Sequence, residues 1–306
     1  MKKKVLLTFG IPVYNAERYI ERLLQLFNNI DNFPYEVIVI NDGSKDNSLN
    51  ICKKYENDKI HVYSQKNLGV SMARNRIIEL AKGEWITFID SDDLIDFNLY
   101  ASVFDRIDKE DMFCINVNNK KYYNKLNSIK EYDKTLSFLI ENEIINSPVS
   151  RFYKRKIIKD NNIKFNSKFS LGEDMLFNLQ YSKYCKSIKF FNENIYFIKT
   201  ENNNSLSRKY KENKYEELME INDLCTKIYS DNDKIKKSLV YIKVKNCISC
   251  LRDCKKYKNN VKNLNEYLSK LKSTDFEYNF FLNTIKQTII FLVWKVVPIK
   301  LLYKGM

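Results

Sequence analysis

Residues 84–93 read EWITFIDSDD. An apolar, β-prone run from Trp85 to Ile89 ends in three carboxylates, Asp90, Asp92 and Asp93. Like charges at that spacing repel, so a strand mouth built this way needs something to offset them. The same design recurs toward the amino terminus. Val5 to Phe9 is an apolar run that leads into Ile11-Pro12-Val13-Tyr14-Asn15. Glu36 to Ile40, EVIVI, leads into Asn41-Asp42-Gly43-Ser44, and Ile60 to Tyr63 reads as a third strand. Between these runs lie helical patterns. Tyr19, Ile20, Leu23, Leu24 and Phe27 share a face within 16–29, Ser44–Tyr55 can form a helix, and Val70–Ala81 reads helical until Gly83 stops it. Strands separated by helices imply right-handed crossovers and an α/β chain with a mostly parallel sheet.

In open α/β sheets, ligands bind beyond the carboxyl ends of the strands. Parallel strands would bring the three polar ends together. Two acidic ends at one edge are costly unless a cation or hydrogen-bond donors occupy the space. Hard carboxylate oxygens suit Mg²⁺ or Mn²⁺, which commonly takes one or two carboxylates together with substrate phosphates. An Asp can instead cap the next helix, and for Asp93 alone that is the favoured reading. Asp90 and Asp92 together point to ligand binding.

The chain has 306 residues, 44% of them hydrophobic and 29% charged, as in a soluble globular protein with ample core. Its formal charge of +14 favours polyanionic company: phosphorylated ligands, nucleic acid or an anionic membrane face. The excess is uneven, since residues 231–306 hold 16 Lys/Arg against 6 Asp/Glu. The start, MKKKVLLTFGIPVYN, meets Gly10 and Pro12 too soon for a signal peptide and lacks a small-residue cleavage site. Seven cysteines without disulfide-like spacing suggest a reducing cytoplasm. Cys247, Cys250 and Cys254 have no fourth metal ligand nearby, and their spacing puts them on one helix face. His61, the single histidine, lies in a strand pattern and reads as structural. Residues 117–168 are harder to read, with one good helix around Tyr132–Ile145. A further helix should start near Gly172-Glu173-Asp174, two short apolar runs flank Asn192, and helices dominate after Tyr210.

Four stretches in order, IPVYNAERYI, EVIVINDGSKDNS, NLGVSMARNRIIELAKGEWITFIDSDD and LGEDMLF, resemble the family 2 glycosyltransferases of the GT-A fold. They cover most of residues 5–95 and a short segment near 174. The resemblance implies a Rossmann-like catalytic domain over 1–210 and a helical, basic region over 211–306. It implies that Pro12, Val13, Tyr14 and Asp42 line the nucleotide pocket, with Asp42 near the uracil. Arg74 would help hold the nucleotide, although without the motif it reads equally as a helix-surface arginine. Asp90 and Ser91 would lie by the ribose and diphosphate, and Asp92 would be the main protein ligand of Mn²⁺ or Mg²⁺. Asp174 would be the catalytic base, inverting the anomeric carbon in one displacement. The competing reading is a helix-start acid favoured by the macrodipole. A helix start lowers its pKa and desolvation raises it, so the sequence leaves the balance open. Lys199 stands where the family often has Arg, and Ser205 and Ser207 would belong to a loop over the diphosphate.

The implied reaction moves a sugar from a nucleotide-diphosphate donor, a UDP-sugar by expectation, to a lipid-linked or growing glycan acceptor in bacterial surface polysaccharide synthesis. In residues 276–303, Phe291, Trp294, Tyr303 and flanking lysines suit an interfacial anchor on anionic lipid at the inner face of the cell membrane. Lys295 and Pro298 interrupt any spanning helix, which needs about 20 apolar residues. The same segment can instead be a helix packed on its own domain or a dimer contact. A phosphotransferase using the strand-end Asp cluster and a nucleic-acid binder using the basic tail are the rivals. No RRM, helix-turn-helix or zinc-finger pattern supports the second, and the expected partners exclude nucleic acid.

Overall fold

A computed structural model of the chain describes residues 6–29, 33–104, 106–107, 109–118, 126–198 and 213–256. Eight strands form one sheet in the order β3-β2-β1-β4-β7-β6-β8-β5. They are β1 (Leu7–Val13), β2 (Tyr35–Asp42), β3 (Ile60–Gln65), β4 (Trp85–Phe88), β5 (Leu94–Ile95), β6 (Met112–Val117), β7 (Arg151–Lys154) and β8 (Ile188–Phe197). The first four in that order are parallel, as the alternation of strand and helix predicts. β7 runs antiparallel between β4 and β6, β6 and β8 are parallel, and β5 closes antiparallel on β8.

β1 and β2 are buried along their whole length, which explains why they read as continuous apolar runs. β1 extends through Pro12, past the apolar run seen in the sequence. Ile89 N–H donates to the Gly10 carbonyl, so the Gly10 backbone faces β4. By strand alternation Pro12 faces the same side, where β4 has already ended. Its missing N–H therefore costs no ladder bond.

The helices of this part are α1 (Ile20–Gln25), α2 (Ser48–Lys54), α3 (Val70–Leu80) and α4 (Phe97–Phe104). They are followed by α5 (Tyr132–Glu141), α6 (Arg155–Asp160) and α7 (Glu173–Ser182). Phe9 anchors one side of the core, with ring centroids 5.2 Å from Phe27, 5.5 Å from Phe97 and 5.4 Å from Tyr100.

The chain divides into two compact units. The first gathers 6–135, 145–169 and 173–198, the second 136–144, 170–172 and 213–256. The second unit is built on α8 (Lys214–Ile228) and α9 (Asp233–Lys256), which bury Ile221, Cys225, Ile235 and Leu239. Cys247 and Cys250 are fully buried on α9, as a helical stripe predicts. The side chain of Cys254 lies outside the described residues. No group of three or more His, Cys, Asp or Glu poised for a metal exists among the described residues. Among them, too, no helix is long and apolar enough to cross a membrane. Residues 276–303, Lys199, Ser205 and Ser207 lie outside the described residues.

At the amino-terminal ends of the strands, buried Glu36 collects three donors on one oxygen. The Thr8 hydroxyl donates at 2.6 Å, Lys82 N–H at 2.6 Å and Gly83 N–H at 3.2 Å. This carboxylate ties β1 and β2 to the turn that feeds β4. Gly83 N–H also reaches Thr8 Oγ1 at 3.0 Å, so Glu36→Ala strips the acceptor from the Thr8 hydroxyl and Lys82 N–H, at about 1–3 kcal/mol each before relaxation. Urea unfolding is expected to show a loss of roughly 2–4 kcal/mol, near the upper range for single substitutions.

Candidate active site

The carboxyl ends of β1 and β2 are laced together by their loops. Asn15 N–H donates to Ser44 Oγ at 3.1 Å, and Lys45 N–H returns to Asn15 Oδ1 at 2.8 Å. Glu17 N–H donates to Asp46 Oδ2 at 3.1 Å, and Asn47 N–H returns to Glu17 Oε2 at 3.0 Å. Burial pushes the Asp46 carboxyl up, but the Ser48 hydroxyl and the Glu17 and Ser48 N–H groups outweigh it and hold the pKa below its ordinary value. Asn15 adopts a left-handed φ of 49°, which its short polar side chain tolerates.

Pro12 and Val13 are buried under this latch, while Tyr14 beyond them is 45% exposed. Asp42 is buried at the end of β2. Its Oδ1 accepts from Gln65 Nε2 at 2.8 Å and Leu68 N–H at 2.9 Å, and its Oδ2 accepts from Gly69 N–H at 2.8 Å. Asp42 thus shapes the loop that enters α3. Gly43 follows at a φ of +70°, and a Cβ there would meet Asn67 N at 2.7 Å, so the turn requires glycine.

At the end of β4, Asp90 is 40% exposed, and Ser91 and Asp92 are half-buried. Asp93 turns inward. Its carboxylate accepts the Tyr196 hydroxyl at 2.7 Å, and that hydroxyl accepts Asp90 N–H at 3.2 Å. Burial and the nearby Asp93 and Asp90 charges raise the Tyr196 pKa well above its ordinary value, so the phenol stays protonated and donates. The reading of Asp93 as a helix cap is therefore corrected. Asp96 caps α4 instead, accepting Leu99 N–H at 3.2 Å. Asp93 supports the acidic loop from beneath.

Arg74 of α3 connects this loop to α7. It is 4% exposed, so it is no helix-surface arginine. Its Nη2 meets Asp90 Oδ1 at 3.1 Å and its Nη1 meets Asp174 Oδ1 at 2.7 Å. Burial alone would lower the guanidinium pKa, but the charges of Asp174 and Asp90 raise it above its ordinary value. Arg74 Nε is buried with no hydrogen-bond partner among the described residues. The guanidinium lies 5.4 Å from the centroid of Phe165, whose ring stacks on Phe177 of α7 at 3.9 Å. Phe165 and Tyr196 carry no motif in the sequence, and neither was singled out there.

Asp174 stands in the first turn of α7, where the sequence places a helix start. Burial pushes its carboxyl up; Arg74 opposes, Glu173 and Asp90 reinforce, and the pKa rises to about 7. Burial thus outweighs the opposing charge of Arg74 here. One buried guanidinium faces Asp90, Asp174 and the neighbouring Glu173. Asp90 and Asp92, both only partly buried, offer hard carboxylate oxygens. Such a set fits a Mg²⁺ or Mn²⁺ ion that draws its remaining ligands from phosphates and water.

Glycosyl transferase family 2 matches residues 8–169, more than half the chain. The chain belongs to that family. Its fold is the GT-A fold expected from its motifs. It is 26% identical to the uncharacterized glycosyltransferase EpsJ of Bacillus subtilis, over 66% of this chain and 63% of EpsJ. It is 28% identical to the poly(ribitol-phosphate) beta-N-acetylglucosaminyltransferase TarS of Staphylococcus aureus, over 62% of this chain and 35% of TarS. The matches thus span less than two thirds of either relative. The solved structure of TarS 1–349 with UDP-GlcNAc superposes with a TM-score of 0.64 at 23% identity, over 88% of this chain and 80% of that one. Mannosyltransferase PcManGT of Pyrobaculum calidifontis, solved with GDP-Man and Mn²⁺, superposes with a TM-score of 0.58 at 13% identity, over 88% of this chain and 80% of its own. At these identities the superpositions establish the fold.

Because Arg74 lowers the Asp174 pKa against burial, removing its charge should raise it further. Carbon-detected NMR titration is expected to give an Asp174 midpoint near 7 in the wild type. Arg74→Met should move that midpoint upward, and a downward move would contradict the ion pair.

Proposed function

We propose that the protein is a metal-dependent, inverting glycosyltransferase. It takes a sugar from a UDP-sugar and passes it to a lipid-linked or growing glycan acceptor in bacterial surface-polymer synthesis. The observation that carries this reading is the Arg74 bridge, which holds the strand-end carboxylate Asp90 and the buried acid Asp174 on one guanidinium. TarS supports the donor class, since its structure holds UDP-GlcNAc, and its name supports the surface-polymer setting.

Pro12, Val13, Tyr14 and Asp42 would receive the nucleoside, and exposed Tyr14 offers a flat face for its base. Asp42 already accepts three hydrogen bonds, so it would add a base N–H to an oxygen held rigid by Gln65, Leu68 and Gly69. Asp90 and Ser91 would face the ribose and diphosphate, and Asp92 would hold Mn²⁺ or Mg²⁺. The ion, when bound, neutralises charge on the departing diphosphate. Asp174 takes the proton of the acceptor hydroxyl. The acceptor oxygen then bonds the anomeric carbon as the bond to the diphosphate breaks, its electron pair leaving with UDP. A pKa near 7 suits this task, since a base is most effective close to the working pH. Attack opposite the leaving group inverts the anomeric centre. The basic C-terminal region would hold the enzyme peripherally on anionic lipid at the inner membrane face.

A panel of nucleotide sugars with Mn²⁺ tests the reaction class through sugar-dependent UDP release. Asp92→Asn is expected to weaken metal-dependent UDP binding in calorimetry, because a neutral amide is a poorer ligand for a hard cation. Asp174→Asn should leave UDP and metal affinity nearly unchanged while transfer falls by about 10²–10⁴, the usual worth of a general base. Transfer at the wild-type rate removes Asp174 from the role, and a product of retained anomeric configuration overturns the single displacement.

A further inference from the structure

Arg74 rides on α3 and Asp174 on α7, so their pairing depends on the gap between two helices distant in sequence. Asn75, the next residue on α3, bears on that gap. Its Nδ2 donates to the Phe165 carbonyl at 2.9 Å, and Phe165 N–H donates to Asn75 Oδ1 at 2.8 Å. One buried amide thereby satisfies both backbone groups of one residue, as a neighbouring strand would. The Phe165 ring stacks on Phe177 with an interplanar angle of 5°, and Phe177 lies one turn beyond Asp174 on α7. A closed circuit results: Asn75 to Phe165, Phe165 to Phe177, Phe177 along α7 to Asp174, and Asp174 back to Arg74 beside Asn75.

We propose that Asn75 is a positioning residue for the transfer reaction. Its two hydrogen bonds set the spacing between α3 and α7 and so hold Asp174 against Arg74. This inference rests on the reading of Asp174 as the base. Burial of Phe165 alone needs only an apolar neighbour, which a leucine would supply. Stacked rings can also slide over one another, whereas a paired donor and acceptor fix position along and across the chain. The ion pair then inherits that fixed position. A shift of about 1 Å at a reacting group can cost about 10²-fold in rate, so a residue that never touches substrate can govern turnover.

The test compares Asn75→Leu, which removes both bonds, with Asn75→Asp, which keeps the acceptor for Phe165 N–H and loses the donor. Tyr35→Phe, which deletes a buried hydrogen bond to the Phe27 carbonyl elsewhere in the same unit, controls for general destabilisation. UDP release is followed with the nucleotide sugar that the panel selects. The expected result is a fall in kcat of about 10²-fold for Asn75→Leu, with UDP and Mn²⁺ affinity within twofold of wild type. A smaller fall is expected for Asn75→Asp. The Asp174 midpoint should also rise in Asn75→Leu, because Arg74 no longer holds it down while Glu173, Asp90 and Arg151 remain. If Asn75→Leu fails to fold, Asn75→Asp decides by the same kcat comparison. An unchanged kcat in the folded variant, or an equal loss in Tyr35→Phe, overturns the proposal. The Asp174→Asn variant separates the two ideas: if it transfers normally, the base reading itself falls. If it is inactive while the Asn75 variants keep the wild-type rate, the positioning role alone falls.

Discussion

A buried guanidinium shared by two carboxylates is the constraint on which the site depends. Taking Arg74 out of water is costly, and breaking a buried pair by removing one partner typically costs about 3–5 kcal/mol. The end of β4 and the first turn of α7 are therefore bound to α3, whatever else each does. The parallel order of β3, β2, β1 and β4 makes this possible, because it brings the strand ends and the start of α3 to one side. The strand-end carboxylates Asp90 and Asp92 stay partly open beside this bridge, and their hard oxygens make a divalent ion with a diphosphate a fitting guest.

Carboxylates around the sheet serve two opposite purposes, and their partners reveal which. Glu36, Asp42 and Asp46 take backbone or side-chain donors from their own chain and work as clamps. Asp93 belongs with them, since Tyr196 occupies it from below. Asp90 and Asp174 are paired to a charge instead, and Asp90 remains open to solvent. A clamp resists exchange, because each donor it holds would be left unsatisfied. An ion-paired, partly open carboxylate can trade one cationic or donor partner for another, as binding and proton transfer both require.

This division sets the limit of what the sequence reveals. The β-α alternation through Phe88 was legible because buried parallel strands make unbroken apolar runs and the helices between them keep their period. The second half of the sheet was not. β7 is a four-residue strand, Arg-Phe-Tyr-Lys, with half its side chains charged, and no periodicity marks it. β8 carries Asn192, Glu193 and Asn194 in its middle, where its pairing with β6 shifts register, so one strand read as two apolar fragments. The motif acids were all found, yet their duties were not separable by position alone. Asp93 looked like a local cap because its true partner, Tyr196, lies 103 residues away. The balance at Asp174 depended on burial by side chains whose placement only the fold determines.

Arginine, rather than any cation, is what this geometry calls for at position 74. Its two terminal nitrogens point to two carboxylates at once, so the width of one planar group fixes how far Asp90 stands from Asp174. A lysine ammonium would keep the charge but act as a point, free to favour either partner. Arginine also stays charged throughout the working range, and the neighbouring acids push its pKa higher still. The titration that matters near neutral pH therefore belongs to Asp174, with its counter-charge constant. Phe165 supplies a flat floor beneath the guanidinium, which limits how far the group can tilt. The arginine thus measures a distance, supplies a fixed charge and leaves the adjustable proton to the acid.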